Sequence, residues 1–256
     1  MRIGKTLRSL AWKSMVRIGN TFGIKRLRRE KPAEELLVPL DPAFREPLLS
    51  MYRGEPQLGV DGQTHQINNY TRISPSQGMW QYDFCLSTKP RSLIEIGLAY
   101  GFSTIYFLAA IARNGHGHHT AVDPFQRSRW HGIGLAHAQA LGSVAGLGST
   151  FRHIEDRSDR VATDLVRAHS TFELIFIDGD HRFDAVLVDF FQYARLCAMG
   201  GHIIFDDMWL RSVQTVTAFV RSNRSDFAEV RTAQPNVAVF QRVGDDSRNW
   251  DHFNEF

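Results

Sequence analysis

The chain has 256 residues, with 30 Lys or Arg against 27 Asp or Glu, an apolar fraction of 43% and a charged fraction of 22%. That length suits one large domain, or a domain of about 200 residues with an appendage, and the composition excludes disordered, collagenous and disulfide-scaffold chains. Two isolated cysteines, Cys85 and Cys197, with no CxxC pair, fit a reducing, cytoplasmic compartment and argue against thiolate-bound zinc.

The charge is unevenly spread. Residues 1–29 hold nine Lys or Arg and no acid, so the chain from Glu30 onward has 21 basic and 27 acidic residues, a balance of −6. Within this start, Ile3, Leu7, Ala11, Met15, Ile18 and Phe22 recur at spacings of four and three, the rhythm of an amphipathic helix. A basic amphipathic segment over 1–36 suits peripheral contact with an anionic membrane, at its inner face for a cytoplasmic protein. Packing on the body or on a second copy in a homo-oligomer, and organelle targeting, are the competing readings. No run is long enough for a membrane span, and no nucleic-acid motif accompanies the basic residues.

Between 37 and 90 six of the nine prolines punctuate the chain, which predicts connecting structure and short helices, with one capped helix over Ser76–Leu86 after Pro75. From 91 to 243 short apolar runs alternate with amphipathic stretches. Strands are predicted at Ser92–Ile96, Thr120–Val122, Phe151–Ile154, Leu174–Ile177 and His202–Phe205. Helices are predicted at Phe102–Arg113, around Trp130–Leu141, and at Asp159–Ala168, Phe183–Cys197 and Val213–Arg221. Phe227–Arg231 and Val237–Val243 read as two adjacent strands without an intervening helix, and 244–256 as a tail. The pattern predicts a doubly wound α/β fold, a mostly parallel seven-stranded sheet with a C-terminal antiparallel hairpin.

Ligands of such sheets bind beyond the carboxyl ends of the strands, and here every parallel strand ends in an acid: Glu95, Asp123, Glu155, Asp178 and the Asp206–Asp207 pair. After the first strand, Gly97 and Gly101 allow a tight turn and close backbone approach to a ligand, but the spacing is not GxGxxG. Asp123 is placed to accept both hydroxyl hydrogens of a ribose, or to cap the next helix. Carboxylates delivered to one rim by Phe176–His181 and Ile204–Asp207 would repel unless compensated. A divalent cation, Mg²⁺ before Mn²⁺ or Ca²⁺, resolves that, with Asp178, Asp206 and Asp207 as its ligands. The His116–His119 run lies in a helix–strand connection on the opposite side and reads as a loop.

The stretch from about Ile73 to Val243, through EIGLAYGFST, VDPF, IDGDH and FDD in that order, resembles class I S-adenosylmethionine-dependent O-methyltransferases. Within that class it is similar to the metal-dependent catechol and macrolide-sugar branch. The resemblance implies a Rossmann-like fold and S-adenosylmethionine as cofactor. It further implies Glu95, Gly97, Ala99, Gly101 and Ser103 around the methionine moiety, Asp123 at the ribose and Ser158 beside the adenine. Ile73–Pro75 would close over the cofactor's amino-acid end, and Asp178, Asp206 and Asp207 match the metal ligands. His181 stands where catechol-type relatives have a lysine base; Asp180 is the competing base, or orients the histidine. The implied reaction is methyl transfer to a hydroxyl of a small-molecule or glycan acceptor, a sugar before a catechol. The alternatives are a nicotinamide-dependent oxidoreductase and a non-catalytic membrane-surface protein with a degenerate fold of this kind.

Overall fold

The computed structural model describes residues 30–144 and 150–256. Residues 1–32 and Ala33–Phe256 form separate units, and the expected amphipathic helix of the first unit, with its membrane and self-association readings, lies outside the described residues. The second unit begins with α1 (Ala33–Leu36) and α2 (Pro42–Arg53). Helix α2 starts where the Asp41 carboxylate accepts the Ala43 amide and Pro42 presets the first turn; it stops at Gly54, whose φ of 74° turns the chain left-handed. A two-stranded antiparallel ribbon follows, β1 (Gln57–Leu58) with β2 (Thr64–His65), which sequence patterning misses because two-residue strands carry no periodicity. Helix α3 (Pro75–Thr88) has Ser74 as its N-cap and Pro75 at its first position.

Next come β3 (Ser92–Ile96), α4 (Phe102–Asn114), β4 (His118–Val122), α5 (Ile133–Val144), β5 (Phe151–Ile154) and α6 (Ser158–Arg167). They are followed by β6 (Phe172–Ile177), α7 (Phe183–Ala194), β7 (Cys197–Phe205), α8 (Arg211–Asn223), β8 (Phe227–Val230) and β9 (Ala238–Arg242). The seven-stranded sheet runs β5-β4-β3-β6-β7-β9-β8; the first five strands are parallel, and β9 pairs antiparallel with both β7 and β8. The predicted doubly wound fold stands, with two corrections. Cys197 opens β7 rather than closing α7, because the chain turns at Arg195–Leu196 and Cys197 pairs with Phe172 of β6. The final hairpin also folds inward, its second strand lying between the other two elements of that edge.

Alternation along the strands divides the core. Leu93, Leu174, Phe176 and Ile204 pack toward the cluster that includes α2, α3 and α4, while Ile94, Ile175, Ile177, Ile203 and Phe205 pack toward α6, α7 and α8. Each fully buried side chain of this size contributes roughly 1.5–3 kcal/mol. The sheet changes winding direction between β3 and β6, so the loops after those strands open onto the crevice where such folds take ligands. The last residues return to the body: Asn254 exchanges hydrogen bonds with Asn223 and donates to the Ser222 carbonyl, and the Phe256 ring meets Phe219.

Candidate active site

The loop after β3 runs against the end of β6. Gly97 has φ of 97°, and a Cβ there would lie 2.1 Å from the Asp178 carbonyl oxygen, so only glycine fits. Gly101, φ 86°, opens α4 opposite Gly134, and Ala99 is also left-handed at 44°. The loop amides are held by Asp123. Its Oδ2 accepts the amides of Leu98 (3.1 Å) and Ala99 (2.8 Å) together with Gln126 Nε2, and its Oδ1 accepts the Phe125 amide. Gln126, wholly buried, also donates to the Ala99 carbonyl and accepts the Leu135 amide. Asp123 therefore lies at the mouth expected for a ribose site, with its oxygens engaged by the loop.

Glu95 lies beneath this loop. It is wholly buried, on the face of β3 turned toward α4, and accepts hydrogen bonds from Ser103 and Thr104 while His119 Nε2 stands 3.0 Å away. Its carboxylate anchors the start of α4 beneath the loop, and Ser103 takes part in the same contact. His119, read as part of a loop, is a strand residue packed between Phe107 and Phe151. On the far side of the crevice, Ser158 Oγ donates to the buried Asp189 carboxylate at 2.6 Å, and Tyr193 donates to the Ser158 carbonyl. Burial raises the Asp189 carboxyl to about 6 despite that hydrogen bond.

The acidic rim is arranged differently from the expectation. Asp178, His181 and Asp207 come together: His181 Nε2 lies 3.1 Å from Asp178 Oδ1 and 3.1 Å from Asp207 Oδ2, and one ligand atom from each residue falls within 4.8 Å of the others. Desolvation pulls the imidazole down, but the hydrogen bonds to Asp178 and then Asp207 override it and push His181 up to about 10. The two carboxylates thus favour the protonated form of the His181 imidazole in this arrangement. Desolvation raises Asp178 to about 6. Asp207 is held below the usual range: desolvation opposes this, but His181, Trp209 and Asn236 donate to it. Trp209 Nε1 donates to Asp207 Oδ1 at 2.8 Å, with its ring 62% exposed beside the cluster.

Asp206 and Asp180 stand outside this trio. Alternation places Asp206 on the α3 side of β7, where its Oδ1 accepts Gln77 Nε2 (2.7 Å), the Asp207 amide (2.7 Å) and Asn236 Nδ2 (3.1 Å). Burial, then the charges of Asp178 and Asp207, raise its carboxyl well above the ordinary value. It adjoins the trio without being a member of it. Asp180 faces outward in a two-oxygen pair with Arg182, which holds it below the usual carboxylate range against slight desolvation. Ser74, expected near a bound cofactor, caps α3 through the Gln77 amide.

Sequence reasoning missed Gln77, Gln126, Asp189, Trp209 and Asn236. The one local signal was the polar pair Gln77 and Gln81 on one face of a helix otherwise directed into the core. The acids at the rim, Asp178 and Asp207 with Asp206 adjoining, fit a hard divalent cation: burial and neighbouring charge disfavour ionised Asp178 and Asp206, and carboxylate oxygens suit such an ion.

Residues 94–208 match the family whose model is described as a methyltransferase domain. Among solved structures, the chain is similar to the S-adenosylhomocysteine-bound methyltransferase PaMTH1 of Podospora anserina (TM-score 0.59, 15% identity, covering 80% of this chain and 89% of that one). It is similar also to an O-methyltransferase from Bacillus cereus in complex with S-adenosylhomocysteine (0.57, 16%, 83% and 95%). A third is TomG from Streptomyces achromogenes, an O-methyltransferase involved in tomaymycin synthesis, solved with S-adenosylmethionine (0.55, 18%, 82% and 94%). An uncharacterized protein of Acanthamoeba polyphaga mimivirus is 36% identical over 62 residues, 23% of this chain and 28% of its own length. The family model thus covers less than half of the chain, and the chain has the Rossmann-like α/β fold of these methyltransferase structures.

Proposed function

We propose that this chain, whose methyltransferase domain spans the crevice between β3 and β6, transfers a methyl group from S-adenosylmethionine to a hydroxyl of a small-molecule or sugar-containing acceptor, with a divalent cation at Asp178 and Asp207. The observation that carries the reading is the contact of Gly97 with the Asp178 carbonyl: the loop suited to the cofactor's amino-acid end and the cluster suited to the acceptor share one boundary. S-adenosylmethionine would supply an electrophilic sulfonium methyl, and Mg²⁺ or a similar ion the Lewis acidity that lowers the acceptor's pKa.

The chain's own residues account for the rest. Gly97 and Gly101 let backbone approach a ligand where a side chain would exclude it. Asp123, released from the Leu98 and Ala99 amides, would accept ribose hydroxyls, and Ser158, fixed by Asp189, would border the adenine. Asp178 and Asp207 would hold the cation, with Asp206 adding charge from behind. With Asp178 and Asp207 on the cation, the His181 proton would no longer be held and would pass to solvent, leaving Nε2 free to accept the hydroxyl proton, a role worth about 10²–10⁴ in rate. Positioning of the two reactants supplies most of the remaining acceleration. The exposed Trp209 ring beside Asp207 offers a flat face of the kind a sugar or aromatic acceptor packs on, and supports those acceptor classes.

Calorimetry with S-adenosylhomocysteine and with NAD⁺ tests the cofactor. Binding of the former alone is expected; binding of NAD⁺ alone would favour the oxidoreductase, and binding of neither a non-catalytic protein.

A further inference from the structure

Away from the strand-end cluster, a second group of metal-ligand side chains converges from two distant segments. Asp61 and His65 stand on the β1–β2 ribbon, and His131 on the loop between β4 and α5. Asp61 Oδ2 is 2.8 Å from His65 Nε2. The His65 and His131 rings lie face to face, centroids 4.0 Å apart and planes within 9°. One ligand atom from each of the three residues lies within 4.8 Å of the other two.

The backbone is shaped for this approach. A Cβ at Gly59 would lie 2.3 Å from the His131 carbonyl oxygen, and one at Gly132 would lie 2.2 Å from Val60 Cγ2. His131 itself has φ of 55°, a left-handed conformation that costs a non-glycine residue energy. A cavity of about 270 Å³, lined by Val60, Asp61, Arg127 and His131, adjoins the group and leaves room for a water or another donor. Aromatic pairs favour offset or edge contacts at centroid separations of about 4.5–7 Å, and the parallel imidazoles are closer than that. Protonation of either ring would set a cation against its neighbour's face, whereas a shared cation would replace the Asp61–His65 hydrogen bond once the two rings tilt out of their stack and their in-plane lone pairs converge.

We propose that Asp61, His65 and His131 form a binding site for a divalent transition-metal ion of the zinc class, separate from the Asp178–His181–Asp207 cluster. Two imidazole nitrogens and one carboxylate oxygen make a three-ligand set with an open fourth position, and imidazole selects zinc, nickel, copper or iron over magnesium. The ion fastens the β1–β2 ribbon to the loop that carries Gln126 and begins at Asp123.

Cobalt(II) titration of the full chain carrying Asp178→Asn and Asp207→Asn tests this without the first cluster. One equivalent of Co²⁺ should bind with visible d–d bands that Zn²⁺ displaces and excess Mg²⁺ does not, and Zn²⁺ should raise Tm. Adding His65→Ala or His131→Ala should abolish both effects; His131 is exposed and His65 half-buried, and circular dichroism checks that the fold persists. In the otherwise unchanged chain, His131→Ala should reduce Co²⁺ uptake by one equivalent, which keeps the test independent of the double variant. Failure of the double variant to bind Co²⁺ while folded, or bands and Tm shifts unaffected by both histidine substitutions, would overturn the proposal and leave the stacked rings as a packing contact only.

Discussion

Gln77 Nε2 donates to Asp206 Oδ1 at 2.7 Å, across 129 residues of sequence, and so ties the first turn of α3 to the end of β7. The bond is buried, and Asn236 closes a triangle by donating to Gln77 Oε1 at 3.0 Å and to Asp206 at 3.1 Å. A buried carboxylate depends on such donors, so the segment preceding the sheet is part of the rim's electrostatics.

Gln77→Met should therefore destabilise the fold by about 1–3 kcal/mol and reduce kcat/KM, because Asp206 stays buried with one donor fewer. One turn later, Gln81 is wholly buried and its amide has no partner among the described residues. Gln81→Met should be neutral or stabilising. Urea denaturation of the two variants side by side checks the contrast; equal effects would mean that the Asp206 bond contributes nothing.

Gly97→Ala should cost about 1–3 kcal/mol and weaken S-adenosylhomocysteine binding by about tenfold or more, since the new methyl meets the Asp178 carbonyl in a left-handed backbone. Calorimetry measures it, and an unchanged affinity would separate this loop from the cofactor.

Asp189 has a folded pKa of about 6 against an ordinary 3.8, with burial the principal cause. A raised carboxyl contributes stability that is complete below 3.8 and is lost as pH rises through about 6. The loss is about 3 kcal/mol at most. The stability difference between the parent and Asp189→Asn should therefore move in favour of the variant from pH 4 to pH 7. A pH-independent difference would contradict this.

These residues also show what the sequence carried. The parallel strands, their order of appearance and the acids at their ends were legible, since buried strands are continuous apolar runs and a sheet of this winding exposes its ligands at one edge. Asp178 and Asp207 come together with His181 at that rim. The direction in which Asp206 points was not legible, because it depends on whether α3 or α8 covers that face of β7, and its partners Gln77 and Asn236 are remote in sequence. The surroundings of Glu95 were hidden for the same reason: an acid at a strand end looks alike whether it faces the crevice or, as here, a serine and a threonine of the following helix. Asp180, adjacent to His181, was drawn off by Arg182, an exposed pairing that a local motif does not reveal.

His181→Ala should lower kcat by about 10²–10⁴ with cofactor affinity retained, whereas Asp180→Asn, at an outward-facing pair, should leave kcat unchanged. Steady-state kinetics of both variants distinguishes the two candidate bases. Reversed effects would return the role to Asp180.

Trp209→Ala should raise the acceptor's KM and change stability by no more than about 0.5 kcal/mol, because the ring is mostly exposed. Acceptor saturation curves test it; an unchanged KM would remove the ring from acceptor binding.

The most direct measurement is transfer of a labelled methyl group from S-adenosylmethionine to a panel of sugar and phenolic hydroxyl acceptors, before and after thorough chelation and with Mg²⁺ restored. Transfer to at least one acceptor is expected, with its loss on chelation, its recovery with Mg²⁺, and its absence in Asp178→Ala protein that still binds S-adenosylhomocysteine. Transfer undiminished by chelation, or retained in Asp178→Ala, would contradict this.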